Sequence, residues 1–147
     1  MNCTIDASVF VAAGRAPEPH HKASIRFLRQ IREQGVEVFC PTLVLTECAA
    51  AVARQTGKPV LAERVIALLD RWPNLRLIPL DEALARQGAQ IAITHRLRGS
   101  DAVYVAVAKL FQATLIAWDA EILERVPPGL LLTLTPTEWM EQLENGI

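Results

Sequence analysis

The sequence predicts a three-layer α/β/α domain with a mainly parallel central sheet, and three observations carry that expectation. Short apolar, β-compatible runs alternate with segments of helical spacing along the whole chain. The hydrophobic share of 51% is slightly high and suits strands covered on both faces, as a parallel sheet requires. A chain of 147 residues can bury roughly 70% of the surface its unfolded form exposes, enough for one sizeable core. One domain over residues 1–147 is therefore expected.

Asn2 to Asp6 reads as a strand that Asp6 closes before the chain passes into AlaSerValPheValAlaAla. Arg15 to His21, with two prolines and Gly14 just ahead, reads as a loop. Ala23 to Glu33 shows helical spacing through Ile25, Leu28 and Ile31, with Gly35 as its stop. Val36 to Cys40 is a second strand broken by Pro41. Thr42 is then a candidate cap for a helix with Leu45, Ala49, Val52 and Ala53 on its apolar side and Glu47 in its early part. Lys58-Pro59 opens a further helix through Val60, Val65, Leu68 and Leu69. Beyond Trp72-Pro73 come a strand over Leu75 to Leu80 and a helix from Asp81 towards Thr94.

Gly99-Ser100 precedes a very apolar helix, with Ser100 as candidate cap and Asp101 in the first turn, where the helix dipole favours a carboxylate. Thr114 to Trp118 is a strand followed at once by Asp119. A strand over Leu130 to Leu134 and a helix over Thr135 to Leu143 complete the pattern, which contains no repeat or low-complexity tract. Such alternation calls for right-handed crossovers between parallel strands.

The formal net charge of −1 excludes a strongly basic, sequence-independent nucleic-acid binder, so any RNA contact must be local. Cys3, Cys40 and Cys48 are odd in number, lie in apolar surroundings and lack paired CxxC spacing. They are expected to be buried free thiols. MNCTID has no basic region followed by a long apolar stretch, and no later run approaches the roughly 20 residues needed to cross a bilayer. A cytoplasmic protein without membrane association is expected.

Ligands of open parallel sheets bind beyond the carboxyl ends of the strands, where the strand order reverses. Asp6 and Asp119 end strands, and Glu47 and Asp101 lie near the beginnings of helices that follow a strand or loop. All four can meet at one rim. Taken singly, such acids serve as often as turn or capping residues. Gathered together, four carboxylates repel one another unless a divalent cation neutralises them. Hard oxygen donors select magnesium or manganese, an ion that can activate water for attack on a phosphodiester and stabilise the leaving oxygen.

Asp6 with Ser8 in IDASVF, Glu47 in LTECAAAVAR, Asp101 in GSDAVYVAVAKL and Asp119 in TLIAWDAEIL resemble, in order and approximate spacing, the acidic motifs of PIN-domain ribonucleases, especially the VapC toxins of type II toxin-antitoxin pairs. The resemblance spans nearly the whole chain. It implies a PIN fold and a Mg2+- or Mn2+-dependent endoribonuclease whose metal and catalytic ligands are Asp6, Glu47, Asp101 and Asp119. It further implies an RNA substrate, a cognate antitoxin that blocks the acidic pocket, and a homodimer. One departure is Ala117, where many relatives place Thr or Ser two residues before the fourth acid.

Several residues keep two readings. Ser8 either supplies a supporting hydroxyl near Asp6 or caps a helix, and Glu121 either assists Asp119 or is a plain helix-start glutamate. Arg96 and Arg98 either grip RNA phosphate or are solvated charges. His20, His21 and His95 lack the i, i+4 partner of a helical metal site and suit the surface. Trp72, Trp118 and Trp139 suit packing. Phe10, Phe27 and Leu28 suit the core, or a dimer or antitoxin groove. Two other functions fit the same residues: a non-catalytic PIN-like module that binds RNA or protein, and a small-substrate phosphohydrolase with Asp6 as nucleophile. IDASVF lacks the second Asp, two residues on, of the common aspartate-based phosphatases.

Overall fold

In the computed structural model, which describes residues 1–146, five short strands carry the architecture: β1 (Asn2–Ile5), β2 (Glu37–Pro41), β3 (Leu75–Ile78), β4 (Thr114–Ile116) and β5 (Thr133–Leu134). They form one sheet in the order β3-β2-β1-β4-β5, and every pairing is parallel. The chain builds outward from β1 through β2 to β3, then returns past β1 to β4 and β5. The order therefore reverses between β1 and β4, where a crevice opens at the carboxyl ends of the strands. Ile5 sits in register with Ile116, and the Asp6 amide donates to the Ile116 carbonyl at 2.9 Å. Asp6 is thereby fixed at the mouth of that crevice.

The helices are α1 (Ala7–Gly14), α2 (His21–Glu33), α3 (Leu43–Thr56), α4 (Pro59–Asp70), α5 (Glu82–His95), α6 (Gly99–Leu110), α7 (Ala120–Arg125) and α8 (Pro136–Glu144). Every residue of α6 from Asp101 to Ala108 is buried, as a helix apolar around its whole circumference must be. It lies against β1, β2 and β4 and carries α5 on its back. Gly88 of α5 meets it closely: a Cβ there would stand 3.5 Å from the Val103 Cγ2. Elsewhere α1 packs on α2 and α3, α3 on α4, and α2 on α8. Sheet and helices together bury one continuous apolar cluster.

Several expectations hold in detail. Gly35, at φ 65°, takes up the chain after α2. Asp81 caps α5 through the Leu84 amide at 2.9 Å, and Pro59 occupies the first turn of α4. The three thiols are free and buried; burial raises Cys3 to about 12 and Cys40 and Cys48 further still, so all three stay protonated. Among the described residues no helix is long and apolar enough to cross a membrane.

Others are corrected. Thr42 has helical backbone angles and makes no side-chain cap bond, because a residue already inside the helical region does not aim its hydroxyl at the first free amides. Ser100 lies inside α6, whose N-cap is Arg98. β4 stops at Ile116 rather than Trp118, since its partner β1 ends at Ile5. β3 stops at Ile78, short of Pro79, which has no amide to pair. β5 comprises only Thr133 and Leu134, the two positions paired to β4. α1 and α7 are short helices, of 8 and 6 residues, too brief for a periodic pattern to delimit; each begins directly after an acid.

Gly88 generates a stability test. A methyl group at this position meets Val103 at ordinary van der Waals distance, so Gly88→Ala is expected to stabilise the protein by up to about 1 kcal/mol through helix propensity. Gly88→Leu is expected to destabilise it by about 1–3 kcal/mol through overpacking. Urea denaturation of the two variants measures both changes.

Candidate metal centre

The acids are positioned mainly by helix starts. Asp6 is the N-cap of α1, its Oδ2 accepting from the Ser8 amide at 3.1 Å. Asp119 is the N-cap of α7, its Oδ1 accepting from the amides of Glu121 and Ile122 at 2.9 and 3.2 Å, which leaves Oδ2 to accept from Arg98. Asp101 sits in the first turn of α6, and Glu47 follows β2 by about one turn of α3. Amide donors and the positive end of each helix dipole favour negative charge at these positions. The Ser8 hydroxyl accepts from the Trp118 amide at 3.2 Å and so ties the start of α1 to the β4–α7 loop. Of the two readings of Ser8, the structure supports a brace between the segments that carry Asp6 and Asp119.

Asp6, Glu47, Asp101 and Asp119 all line one cavity of about 570 Å³, together with Ser8 and Arg98. Asp6 and Asp101 are buried, at 7% and 6% exposure. Burial raises the Asp6 carboxyl to about 6, against the pull of its hydrogen bonds to Ser8 and with added repulsion from Glu47 and Asp101. Burial also raises Asp101, opposed by Arg98. One oxygen each of Asp101, Asp119 and Glu121 lies within 4.8 Å of the other two. Glu121, the neighbour of Asp119, thus joins the site rather than standing apart on a solvated helix start.

Three buried polar atoms of this region have no hydrogen-bond partner among the described residues: Glu47 Oε1, Glu121 Oε2 and the Tyr104 hydroxyl. Burial raises the Tyr104 phenol, followed by repulsion from Asp6 and Glu47, so it remains a neutral donor. An unpaired buried carboxylate oxygen beside other acids is costly. A hard divalent cation satisfies such a donor set, composed of carboxylate oxygens and lacking the thiolate and imidazole that zinc favours. The residues therefore fit magnesium or manganese.

The two arginines diverge. Arg98 Nε donates to Asp101 Oδ2 at 2.9 Å and stands 3.5 Å from Glu121 Oε2, while Nη2 donates to Asp119 Oδ2. Arg96 ends α5 in the left-handed region, at φ 56°, is exposed, and does not line the cavity. Its carbonyl instead accepts from Arg125 Nη1 at 2.6 Å. His20 stacks face to face on Trp118 with ring centroids 3.8 Å apart, and Trp118 Nε1 donates to Ser24 Oγ at 2.8 Å. Nothing in the sequence pattern singles out Glu18 and Gln55, which also line the cavity; only the folded course of α1, its following loop and α3 brings them there.

A family model described as the PIN domain matches residues 3–127. The chain belongs to the PIN domain family. Its fold is similar to that of the Mycobacterium tuberculosis toxin VapC20, described as cleaving the sarcin-ricin loop, at a TM-score of 0.73 and 20% identity over 85% of this chain and 97% of that one. VapBC2 of Rickettsia felis, bound to a promoter DNA fragment, matches at 0.69 and 15% identity over 92% and 98%. FitAcB of Neisseria gonorrhoeae matches at 0.65 and 19% identity over 92% and 98%. No curated protein matches the chain by sequence. In this PIN domain the matched segment contains all four predicted acids and Glu121, and it ends before β5 and α8.

The raised Asp6 carboxyl gives a stability signature. The folded protein binds that proton more tightly than the unfolded chain, so the associated stability is complete below about pH 4 and is lost as pH rises through about 6. The loss is on the order of 3 kcal/mol. Metal-free protein in chelator is expected to weaken over that interval, and Asp6→Asn to flatten the dependence, as read from denaturation midpoints between pH 4 and 7.5.

Proposed function

We propose that the chain is a divalent-metal-dependent endoribonuclease acting as the toxin of a type II toxin-antitoxin pair. The observation that carries this reading is the convergence of Asp6, Glu47, Asp101 and Asp119 on one cavity at the β1/β4 reversal, with a buried Glu47 oxygen left unpaired. These four acids, with Glu121 beside them, are the groups that would hold Mg2+ or Mn2+. When bound, such an ion lowers the pKa of water for in-line attack on phosphorus and offsets charge on the leaving oxygen. The chain's own residues supply the frame. Helix-start amides orient Asp6 and Asp119, Ser8 holds their two segments at a fixed spacing, and α6 provides a buried, rigid support for Asp101.

The toxin reading draws on the structural neighbours, one described as a sarcin-ricin loop cleaving toxin and another solved as a pair with promoter DNA. By analogy an antitoxin partner, an RNA substrate, a homodimer and a cytoplasmic setting are proposed, with the 147 residues acting as one domain. A second cavity of about 560 Å³, lined by Phe10, Leu28, Val65, Leu68 and Trp72, supports antitoxin binding. It is an apolar groove between α1, α2 and α4 of the kind that accepts an amphipathic segment.

Wild-type protein is expected to cleave structured RNA with Mg2+ or Mn2+ and to stop in chelator. Asp101→Asn and Asp6→Asn are each expected to lower cleavage at least about 100-fold while the circular dichroism spectrum stays native. Cleavage that survives both substitutions would overturn the reading. Retained RNA or partner binding without any cleavage in the wild type would favour a binding module instead.

A further inference from the structure

The carboxylates of the cavity fall into two electrostatic halves. Asp6 and Glu47 have no cationic partner among the ion pairs of the described residues. Asp101, Asp119 and Glu121, by contrast, are all reached by one guanidinium, that of Arg98. These are the same three residues whose oxygens approach one another within 4.8 Å. The fork-shaped side chain thus occupies the position from which a cation would neutralise all three.

The geometry points to Arg98 as an internal competing cation, a displaceable counter-ion that holds the outer half of the site until a divalent metal replaces it. This inference rests on the metal-nuclease reading. Arg98 is well suited to leave. It occupies the N-cap position of α6 yet its side chain makes no cap bond, and 59% of that side chain is exposed, so neither packing nor capping retains the guanidinium. Its hold is electrostatic and reaches Asp101 and Asp119 through two separate nitrogens. A monovalent guanidinium offers half the charge of the ion that replaces it, and the side chain that carries it to the buried Asp101 is itself exposed. Metal entering between the acids would then release a cationic fork at the rim, within reach of a phosphodiester aligned on the same site.

Two consequences follow from competition for the same oxygens. Metal affinity is lowered by the cost of displacing Arg98, and the metal-free protein is stabilised by it, because the guanidinium offsets repulsion among three carboxylates. Arg125 provides the contrast. It stands 3.5 Å from Glu121 but pairs with neither Asp101 nor Asp119, so its removal takes away a nearby positive charge without vacating the fork's position.

Calorimetric titration of the full chain with Mn2+ alone, without RNA, tests the inference. Arg98→Gln is expected to tighten Mn2+ binding about five- to a hundredfold, to lower the melting temperature of the metal-free protein, and to enlarge the Mn2+-induced rise in melting temperature. Arg125→Gln is expected to change the affinity by no more than about twofold. Arg98→Gln binding Mn2+ like the wild type, or gaining no more than Arg125→Gln, would overturn the competing role while leaving the metal-nuclease reading intact. Absence of Mn2+ binding in wild type and both variants would defeat the metal-nuclease reading and this inference with it.

Discussion

The parallel pairing of β1 with β4 is the constraint on which the rest of the structure depends. These two strands are far apart in sequence, and their register, with Ile5 beside Ile116, brings the segments after them side by side. One of those segments begins at Asp6 and the other contains Asp119, so the spacing of the site is set by a backbone ladder before any side chain contributes. The Asp6–Ile116 bond and the Ser8–Trp118 bond extend that ladder by one rung each beyond the strands. Shifting the register by one residue would turn every buried side chain of β1 to the opposite face, so the core and the site share one specification.

Collecting acids at this point is unfavourable, and the surrounding structure shows how the cost is met. Helix-start amides satisfy Asp6 and Asp119, and Arg98 offsets the outer carboxylates. Toward the interior the compensation runs out: Asp6 is pushed up to about 6 by burial, and Glu47 Oε1 lies unpaired. Partial satisfaction at the rim, where Glu121 Oε2 also lacks a hydrogen-bond partner, and frustration at the base describe a site prepared for a cation rather than one balanced without it.

Much of this was legible in the sequence because it rests on local chemistry. The alternation of apolar runs and helical spacing gave the layers, and the very apolar character of the helix that carries Asp101 was plain. Asp6 and Asp119 were placed at strand ends because an acid after an apolar run interrupts it whatever the tertiary context. What stayed hidden depends on distance in space. The strand end at Ile116 follows from where a partner strand stops, and the Ser8–Trp118 brace joins residues 110 positions apart. Glu121 and Arg98 each keep two readings in the sequence, and only the folding of the β4–α7 loop against the start of α6 brings both onto the same acids. Arg96 and Arg98, two residues apart, were alike in sequence and are parted by the left-handed turn at Arg96.

The unequal construction of the two walls has a further consequence. Asp101 projects from a helix buried along eight consecutive residues, whereas Asp119 caps and Glu121 belongs to α7, a helix of six residues anchored in the core by Ile122 alone and held on its charged side by Arg98 and Arg125. One wall is set by packing along its whole length, the other by a single buried side chain together with charge. Sequence drift in this protein is therefore unevenly permitted: the floor tolerates little change because altering it disturbs folding itself, while the outer wall can be retuned by exchanging a few charged residues without touching the core.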